Sequence, residues 1–425
     1  MSAPRNIAIL GGGREGRAAE DWCRRKWPQA RLRVYDDADS DWPLPRGKQW
    51  DGIDLAIASP GVAPHHSAIV DARRAEVRIT TGTQLWFEQK PSGRTVVISG
   101  TKGKSTTAAA LAHVLKGELE DVVLAGNIGL PLLSLKPGSP ETVYVVELSS
   151  YQLHELIFCC DVGVLLNLFP EHLDWHEGRE AYYACKLRVL SAARRALADA
   201  SNATLKKMAP SGVQWFNIDS GLHLVGQTLF EAETAVGALQ TQLLGQHNQR
   251  NMVAVIAAAK ELGIAPQQSM SRLPSFQSLP HRLHRLGVQH GLQWVDDSIS
   301  TTPQSTLAAA ASLADETLTL LVGGFDRGLD WSPFVEQMPG NVDLLIGIGA
   351  QGQRIIEQVS SSPSAPRTAA VDDLPAAVEA SRTQSRQGAT VVLSPGAPSY
   401  GEFTDFKQRG RRFAQLAGFD VAAQD

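Results

Sequence analysis

The chain has 425 residues, 43% hydrophobic and 20% charged. At roughly 150 residues per domain that allows two or three domains, each with its own core. The 40 Lys and Arg against 44 Asp and Glu leave a net charge of −4, which excludes a generally basic nucleic-acid binder, while the apolar content excludes a disordered chain. Its four cysteines, Cys23, Cys159, Cys160 and Cys185, show no CxxC spacing, so a reducing compartment is expected and neither a zinc ribbon nor a disulfide framework is. There is no run of about 20 apolar residues, and MSAPRN leads straight into a strand. The expected setting is the cytoplasm, away from membranes and nucleic acid.

In chain order, apolar runs ending in Gly, Ser or Asp alternate with amphipathic helical stretches, the rhythm of parallel α/β units. The first unit is NIAIL (Asn6–Leu10), then GGGREG and RAAEDWCRR; LRVYD ends at Asp36, and DLAIA runs into Ser59-Pro60-Gly61. A polar turn, Lys90-Pro91-Ser92-Gly93, reads as a linker before the strand TVVIS (Thr95–Ser99). VYVVEL (Val143–Leu148) and VGVLLN (Val162–Asn167) follow. After LPHRLHRLG (Leu279–Gly287) the pattern restarts with LQWVDDS, LTLLVGG, VDLLIGIG and ATVVLSPG. The predicted architecture is α/β in three domains, 1–90, 91–283 and 284–425: a Rossmann-like N-terminal domain, a central P-loop ATPase-like domain and a C-terminal Rossmann-like domain.

Gly100-Thr101-Lys102-Gly103-Lys104-Ser105-Thr106 lies between the TVVIS strand and the helical TTAAALAHVL. Phosphates need converging backbone N–H groups, and glycines let a loop curl closely enough to supply them. The helix N-terminus adds a favourable dipole, Lys104 neutralises β/γ charge, and Ser105 is placed to ligate Mg²⁺. The same letters also describe a Gly/Lys surface turn, but the strand before and helix after favour ATP or GTP binding. GGGREG (Gly11–Gly16) with Asp36 fits a dinucleotide fingerprint too, so an NAD(P)-dependent oxidoreductase is an alternative. That reading leaves GTKGKST without a task. With a nucleoside-triphosphate loop elsewhere, the first domain suits the diphosphate of a nucleotide-linked substrate.

With these motifs the sequence resembles the Mur ligases, ATP-dependent amide-forming enzymes of peptidoglycan precursor synthesis, and most of all their glutamate-adding branch. The resemblance spans the chain in order: GGGREG, ASPG (Ala58–Gly61), GTKGKST, GNIGLP (Gly126–Pro131), ELSSYQL (Glu147–Leu153), NLFPEHLDWH through YYACKLR, GQHNQRN (Gly245–Asn251), LPHRL (Leu279–Leu283), DDS (Asp296–Ser298) and LSPGAPSYGEFTDFKQRG (Leu393–Gly410). It implies transfer of the ATP γ-phosphoryl to a carboxylate and attack of an amine on the acyl phosphate, chemistry that is mostly positioning and charge neutralisation. By resemblance, Lys104 contacts the β/γ-phosphates, Ser105 and Glu147 hold one Mg²⁺, and His172 and Lys186 serve a second, the lysine as a carbamate suited to a hard metal. Asn248 and Asn251 lie near adenine, and Arg282 and Asp297 meet the nucleotide phosphates and ribose. Read without the family, Glu147 is also a strand-end cap, His172 with Asp174 and His176 a surface cluster, Lys186 an ordinary helix lysine, and the asparagines helix caps.

The resemblance also assigns substrate residues. Arg14, Glu15, Asp36, Ser59, Pro60 and Gly61 would grip uracil and diphosphate, and Asn127, Ser149 and Gln152 the sugar and lactyl-alanyl part of UDP-N-acetylmuramoyl-L-alanine. Three departures cluster elsewhere: the glutamate-adding pattern D-S-K-A-T-N is Asp297-Ser298-Ile299-Ser300-Thr301-Thr302 here, Arg327 replaces a lysine, and Ala397-Pro398-Ser399-Tyr400-Gly401 replaces a small pair with Ser-Leu. Arg327, Thr301, Ser399 and the Phe406 backbone could still bind two carboxylates. The changes resemble a subgroup that adds L-glutamate and leaves inversion to a separate epimerase. D-glutamate addition, a muropeptide-recycling ligase and a folylpolyglutamate-type ligase are the other ligase readings. A monomer is expected.

Overall fold

The computed structural model describes residues 3–38, 41–361 and 365–420. The first sheet contains β1 (Asn6–Leu10), β2 (Arg31–Tyr35), β3 (Leu55–Ala58) and β4 (Arg78–Thr81), all parallel in the order β2-β1-β3-β4. The second contains β5 (Arg94–Ser99), β6 (Val122–Gly126), β7 (Val143–Glu147), β8 (Cys160–Leu165), β9 (Ala193–Asp199) and β10 (Gln214–Phe216), again parallel, in the order β10-β9-β8-β5-β7-β6. Val96, Val97 and Ile98 of β5 are fully buried, as an inner parallel strand covered on both faces requires.

Three further strands, β11 (Leu222–Val225), β12 (Thr228–Glu231) and β13 (Thr234–Ala238), form an antiparallel meander. The sequence reading contains no such sheet. Its only local signals are two-residue turns at Gly226-Gln227 and Ala232-Glu233, where Gly226 and Ala232 take positive φ. In the two parallel sheets, β4, β6, β9 and β10 are likewise absent from the expected strands. Strand β9 explains why: it carries Arg194 and Arg195 in its first half, which hides the apolar run.

By compactness the chain forms two units, Met1–Thr241 with Arg250–Phe276, and Gln242–Gln249 with Gln277–Asp425. In the first unit one apolar cluster runs across both parallel sheets, joining Ile7, Ile9 and Leu55 to Leu132, Tyr144 and Val146. Trp86 bridges them, 4.8 Å from Phe87 and 5.4 Å from Tyr144 between ring centroids. The turn at Lys90–Gly93 therefore connects two sheets that share a core.

The second unit holds β14 (His284–Gln289), β15 (Leu292–Asp296), β16 (Leu318–Val322), β17 (Val342–Ile348), β18 (Arg367–Val371) and β19 (Thr390–Leu393) in the order β14-β15-β19-β16-β17-β18. Strand β14 is an antiparallel edge; the other pairs are parallel. The α/β class expected from the alternating pattern is the class observed. No helix among the described residues is long and apolar enough to cross a membrane.

Candidate active site

In a parallel sheet every strand delivers its C-terminal end to the same edge, and loops leaving neighbouring strands converge there. Strand β5 pairs with β7 through Ile98 and Glu147, and with β8 through Ser99 and Leu165. The turn after β5, Glu147 at the end of β7 and the segment after β8 that leads to His172 are therefore brought together, although up to 72 residues separate them in sequence.

The turn Gly100–Gly103 enters the helix Lys104–Lys116 with Gly103 at φ +85°. A Cβ on Gly103 would fall 2.7 Å from Asn251 Oδ1, so only glycine fits both the left-handed backbone and the asparagine packed on it. Asn167 holds the turn from the β8 side: Lys102 N donates to its Oδ1 at 2.8 Å, and its Nδ2 donates to Lys102 O at 3.0 Å. Tyr182 OH donates to Thr101 Oγ1 at 2.9 Å. Ser105 and Thr106 follow in the first helical turn. The Lys104 ammonium bends back to Thr101 O at 3.0 Å, over the backbone that a phosphate would approach.

Glu147 is fully buried. Its Oε1 accepts from Asn127 Nδ2 at 3.0 Å, while Oε2 has no hydrogen-bond partner. A buried carboxylate oxygen without a donor is costly, and a hard divalent cation is the partner that its chemistry fits. His172 opens the short helix Leu173–His176, with φ 55° and ψ 35°, and its Nε2 lies 3.9 Å from Glu171 Oε2. Burial lowers its pKa despite Glu171, favouring the neutral imidazole that metals bind. Glu171 is itself held below its usual value: burial opposes this, and the Lys102 ammonium at 2.6 Å overcomes it.

Lys186 lies on the helix Arg179–Ser191, 1% exposed, with Nζ donating to Gly100 O at 2.7 Å and sitting 5.1 Å from the Tyr182 ring centre. Burial, followed by the neighbouring Lys104 charge, pushes its amine well below the ordinary lysine value. A neutral amine is the form that captures CO₂, and a charged one would repel a metal. These donors fit an Mg²⁺ site only with Lys186 uncharged or carbamylated.

Another group gathers around the glycine turn Gly11–Gly16. A Cβ on Gly16 would meet Gly11 O at 1.8 Å, and Ser59 Oγ donates to the same carbonyl at 3.2 Å. Pro60 and Gly61 follow Ser59 in the turn after β3. Asp36 accepts from Gly12 N at 2.6 Å through Oδ2 and from Ala38 N at 3.0 Å through Oδ1. Those amides, Ala38 foremost, hold its carboxyl below the usual range. Both oxygens are thus engaged with backbone, unlike an acidic residue left open for a dinucleotide ribose. Arg14 is also engaged: it donates to the carbonyls of Gly126 at 3.1 Å, Asn127 at 2.9 Å and Gly129 at 3.1 Å, tying the first helix to the loop after β6. Gln152 Nε2 reaches Glu15 Oε1 at 3.4 Å, and Gln152 with Ser149 forms a reciprocal cap at the start of the helix Ser150–Leu153.

In the second unit, Asp297 leaves the end of β15 buried, accepting from Leu283 N at 3.1 Å, Ser300 Oγ at 2.5 Å and Ser394 Oγ at 2.8 Å. It thereby fixes the backbone next to Arg282. Burial raises its pKa to about 6. Asn248 Nδ2 donates to Leu244 O at 2.8 Å. Arg327 is exposed and reaches Thr301 O at 3.4 Å. Phe406 begins the helix Phe406–Ala417, and its carbonyl accepts from Ser298 Oγ at 2.8 Å. Ser399 lines a cavity of about 290 Å³ at the C-terminal ends of β16, β17 and β19, with Gly324, Phe325, Tyr400, Glu402 and Arg409.

Arg409 was not singled out in the sequence. It is 4% exposed and donates to Ser298 Oγ at 3.0 Å, Ser298 O at 2.8 Å and Ala397 O at 3.0 Å; Nη1 has no partner. Burial lowers its pKa to about 10, which still leaves it cationic at neutral pH. The only sequence signal was an arginine three residues after Phe406, indistinguishable there from a solvated helix arginine.

Residues 98–259 match the Mur ligase middle domain and residues 281–396 the Mur ligase glutamate ligase domain. The UDP-N-acetylmuramoyl-L-alanine–L-glutamate ligase of Xanthomonas axonopodis pv. citri is 39% identical, with 98% of this chain and 96% of that protein covered. The chain belongs to the Mur ligase family. A protein of the same description from Xylella fastidiosa strain Temecula1 is also 39% identical, over 97% of this chain and 95% of the relative. Among solved Mur ligases, the UDP-N-acetylmuramate–alanine ligase of Thermotoga maritima superposes with a TM-score of 0.65 at 19% identity, covering 96% of this chain and 98% of that one. The MurF ligase of the same organism, solved in complex with ADP, gives 0.59 at 16% identity over 96% and 93% of the two chains. At these identities the two structures establish the Mur ligase fold alone.

Proposed function

We propose that this Mur ligase joins L-glutamate to UDP-N-acetylmuramoyl-L-alanine at the expense of ATP, releasing ADP and phosphate. The observation that carries the ligase reading is the convergence, at one sheet edge, of a phosphate turn, the unpartnered Glu147 oxygen and the buried Lys186 amine. L-glutamate specificity rests on the likeness to the L-glutamate ligases of Xanthomonas and Xylella and on the departures at Ile299, Arg327 and Ala397–Gly401. The domain assignment follows the substrates: 1–90 for the UDP-substrate, 91–283 for ATP, 284–425 for the amino acid. The enzyme acts as a cytoplasmic monomer, with a separate epimerase inverting the product.

In the first step the alanyl carboxylate oxygen attacks the γ-phosphorus and the bond to the ADP oxygen breaks. The turn amides of Gly100–Thr106 and the Lys104 ammonium hold the phosphates during transfer. Ser105, Glu147, His172 and Lys186, the last as its carbamate, would hold two Mg²⁺ ions, which supply charge neutralisation to the phosphoryl group. Lys186 acquires the carbamate when its neutral nitrogen bonds to the CO₂ carbon and loses a proton to solvent.

In the second step the glutamate nitrogen attacks the acyl carbon, phosphate leaves, and the nitrogen gives up a proton. Ser399, Thr301, Arg327, the Phe406 backbone and the free Arg409 Nη1 edge recognise the two glutamate carboxylates, since guanidinium groups pair with carboxylates in a fork. By the family resemblance, Asn248 and Asn251 are assigned to adenine, and Arg282 and Asp297 to the phosphates and ribose of the nucleotide. Arg14, Glu15, Asp36, Ser59, Pro60, Gly61, Asn127, Ser149 and Gln152 shape the UDP-sugar site, several of them through the backbone they fix.

The test is phosphate release from ATP with Mg²⁺ and UDP-N-acetylmuramoyl-L-alanine, with L- or D-glutamate as the amine. Turnover with L-glutamate is expected. Release with the D isomer alone would sink the stereochemical assignment, and release with neither would sink the ligase assignment for this substrate.

A further inference from the structure

One residue before Lys186, and so about 100° round the same helix, Cys185 faces two histidines. Its Sγ lies 3.8 Å from His154 Nδ1 and 3.8 Å from His176 Nδ1, and the three donor atoms all fall within 4.8 Å of one another. Cys185 and His176 are buried and His154 is partly so. The thiol donates to one imidazole nitrogen and accepts, weakly, from the other, so sulfur and both Nδ1 atoms converge on one point. Both histidines keep Nε2 buried without a hydrogen-bond partner, and it is their Nδ1 atoms that face the sulfur.

We propose that His154, His176 and Cys185 form a binding site for a borderline-soft divalent cation of the Zn²⁺ class, separate from the phosphate-turn site. Two nitrogens and a sulfur suit zinc and not magnesium, which demands oxygen. Tetrahedral zinc, with Zn–S about 2.3 Å and Zn–N about 2.0 Å, sets S···N separations near ~3.6 Å. The observed 3.8 Å S···N spacings need only a small contraction, whereas the two nitrogens, within 4.8 Å of each other, close to about 3.3 Å by side-chain rotation on binding. Aromatic rings wall the site: Trp175 is 4.5 Å from His176 and 5.2 Å from His154, and Tyr151 stacks on His176 at 5.8 Å. His154 and Trp175 also line a cavity of about 460 Å³, which leaves the fourth position to water or a ligand donor. On binding, the Cys185 thiol proton passes to solvent and the sulfur coordinates as thiolate. Occupancy ties the helix bearing Lys186 to the segments bearing His154 and His176.

The full-length protein, stripped with a chelator, is titrated with Zn²⁺ and separately with Co²⁺. One Zn²⁺ should remain per chain after gel filtration, and Co²⁺ should give a near-ultraviolet thiolate-to-metal charge-transfer band. Both should vanish in Cys185→Ala and persist in Lys104→Ala. His154→Gln, at the more exposed ligand, guards against misfolding of the cysteine variant and should weaken Zn²⁺ binding on the order of tenfold or more. Absence of the band, a band that survives Cys185→Ala through exposed Cys159, or undiminished Zn²⁺ affinity in His154→Gln overturns the site.

Discussion

Lys186 and Gly100 meet inside the protein: the lysine Nζ donates to the glycine carbonyl at 2.7 Å, at the point where strand β5 becomes the phosphate turn. The contact spans 86 residues of sequence and couples a helix lysine to the loop that would carry ATP. Because the amine is nearly sealed from water and lies near Lys104, its neutral form is favoured. Ligation should therefore depend on CO₂. In degassed buffer the rate is expected to fall about tenfold or more, the scale of losing a positioned charged ligand, and to recover on adding bicarbonate. Lys186→Arg, always charged, should be inactive with or without it. Full activity in CO₂-free buffer would contradict carbamylation.

Lys104→Ala should abolish ligation, by about 10²–10³-fold or more, as expected when one preorganised cationic or donor group is lost. Lys104 lies on the first helical turn, only partly buried, so the thermal midpoint should hardly move. Isothermal titration with ATP and steady-state rates check both halves. A variant turning over at near the parental rate removes the phosphate-turn assignment.

Gly103→Ala tests the turn by geometry alone. The left-handed backbone at φ +85° costs a non-glycine residue about 1–2 kcal/mol, and the new methyl would collide with Asn251 Oδ1. Chemical denaturation should show a loss of at least that size, with weakened ATP binding. Asn251→Ala in the same chain should relieve the clash and recover part of the stability, though not the nucleotide affinity.

Arg409→Lys should raise the KM for glutamate about tenfold or more, since lysine is a point charge without the planar fork, and leave the KM for ATP near parental. Loss of its bonds to Ser298 and Ala397 will also lower stability, so Ser399→Ala on the same cavity provides the milder comparison. An unchanged glutamate KM in both would place the amino acid elsewhere.

His176 gives the fold a pH signature. Burial, with His154 adding to it, drops its pKa from the ordinary 6.5 to about 4. Between those values the unfolded chain binds a proton that the native chain refuses, so stability falls as pH is lowered from 6.5 towards 4, and this contribution is flat above 6.5. Urea midpoints measured with chelator present should follow that slope, and His176→Asn should flatten it. Asp297 works in the opposite sense: its pKa is raised to about 6, so its penalty grows as pH rises from 3.8 towards 6. An unchanged slope in the His176 variant would show that other groups govern the acid limb.

Much of this protein is determined locally. The inner strands β1, β5, β7 and β8 are apolar runs closed by Gly, Ser, Glu or Asn, and burial on both faces leaves such runs few other conformations. The phosphate turn is legible for the same reason, since glycine spacing, a lysine and a following helix are all local. The order of motifs along the chain was likewise sufficient to suggest the family.

Tertiary structure decided what depends on distant neighbours. No local pattern marks Lys186 as neutral, because its condition comes from Gly100, Tyr182 and Lys104 closing round it. Arg14 and Asp36 read as ligand-facing, yet each is drawn into backbone contacts whose partners lie up to 115 residues away. Arg409 and the His154–His176–Cys185 cluster were invisible for the same reason. Desolvation and hydrogen-bond completion are properties of an assembled environment, and a residue acquires them only when the chain has folded around it.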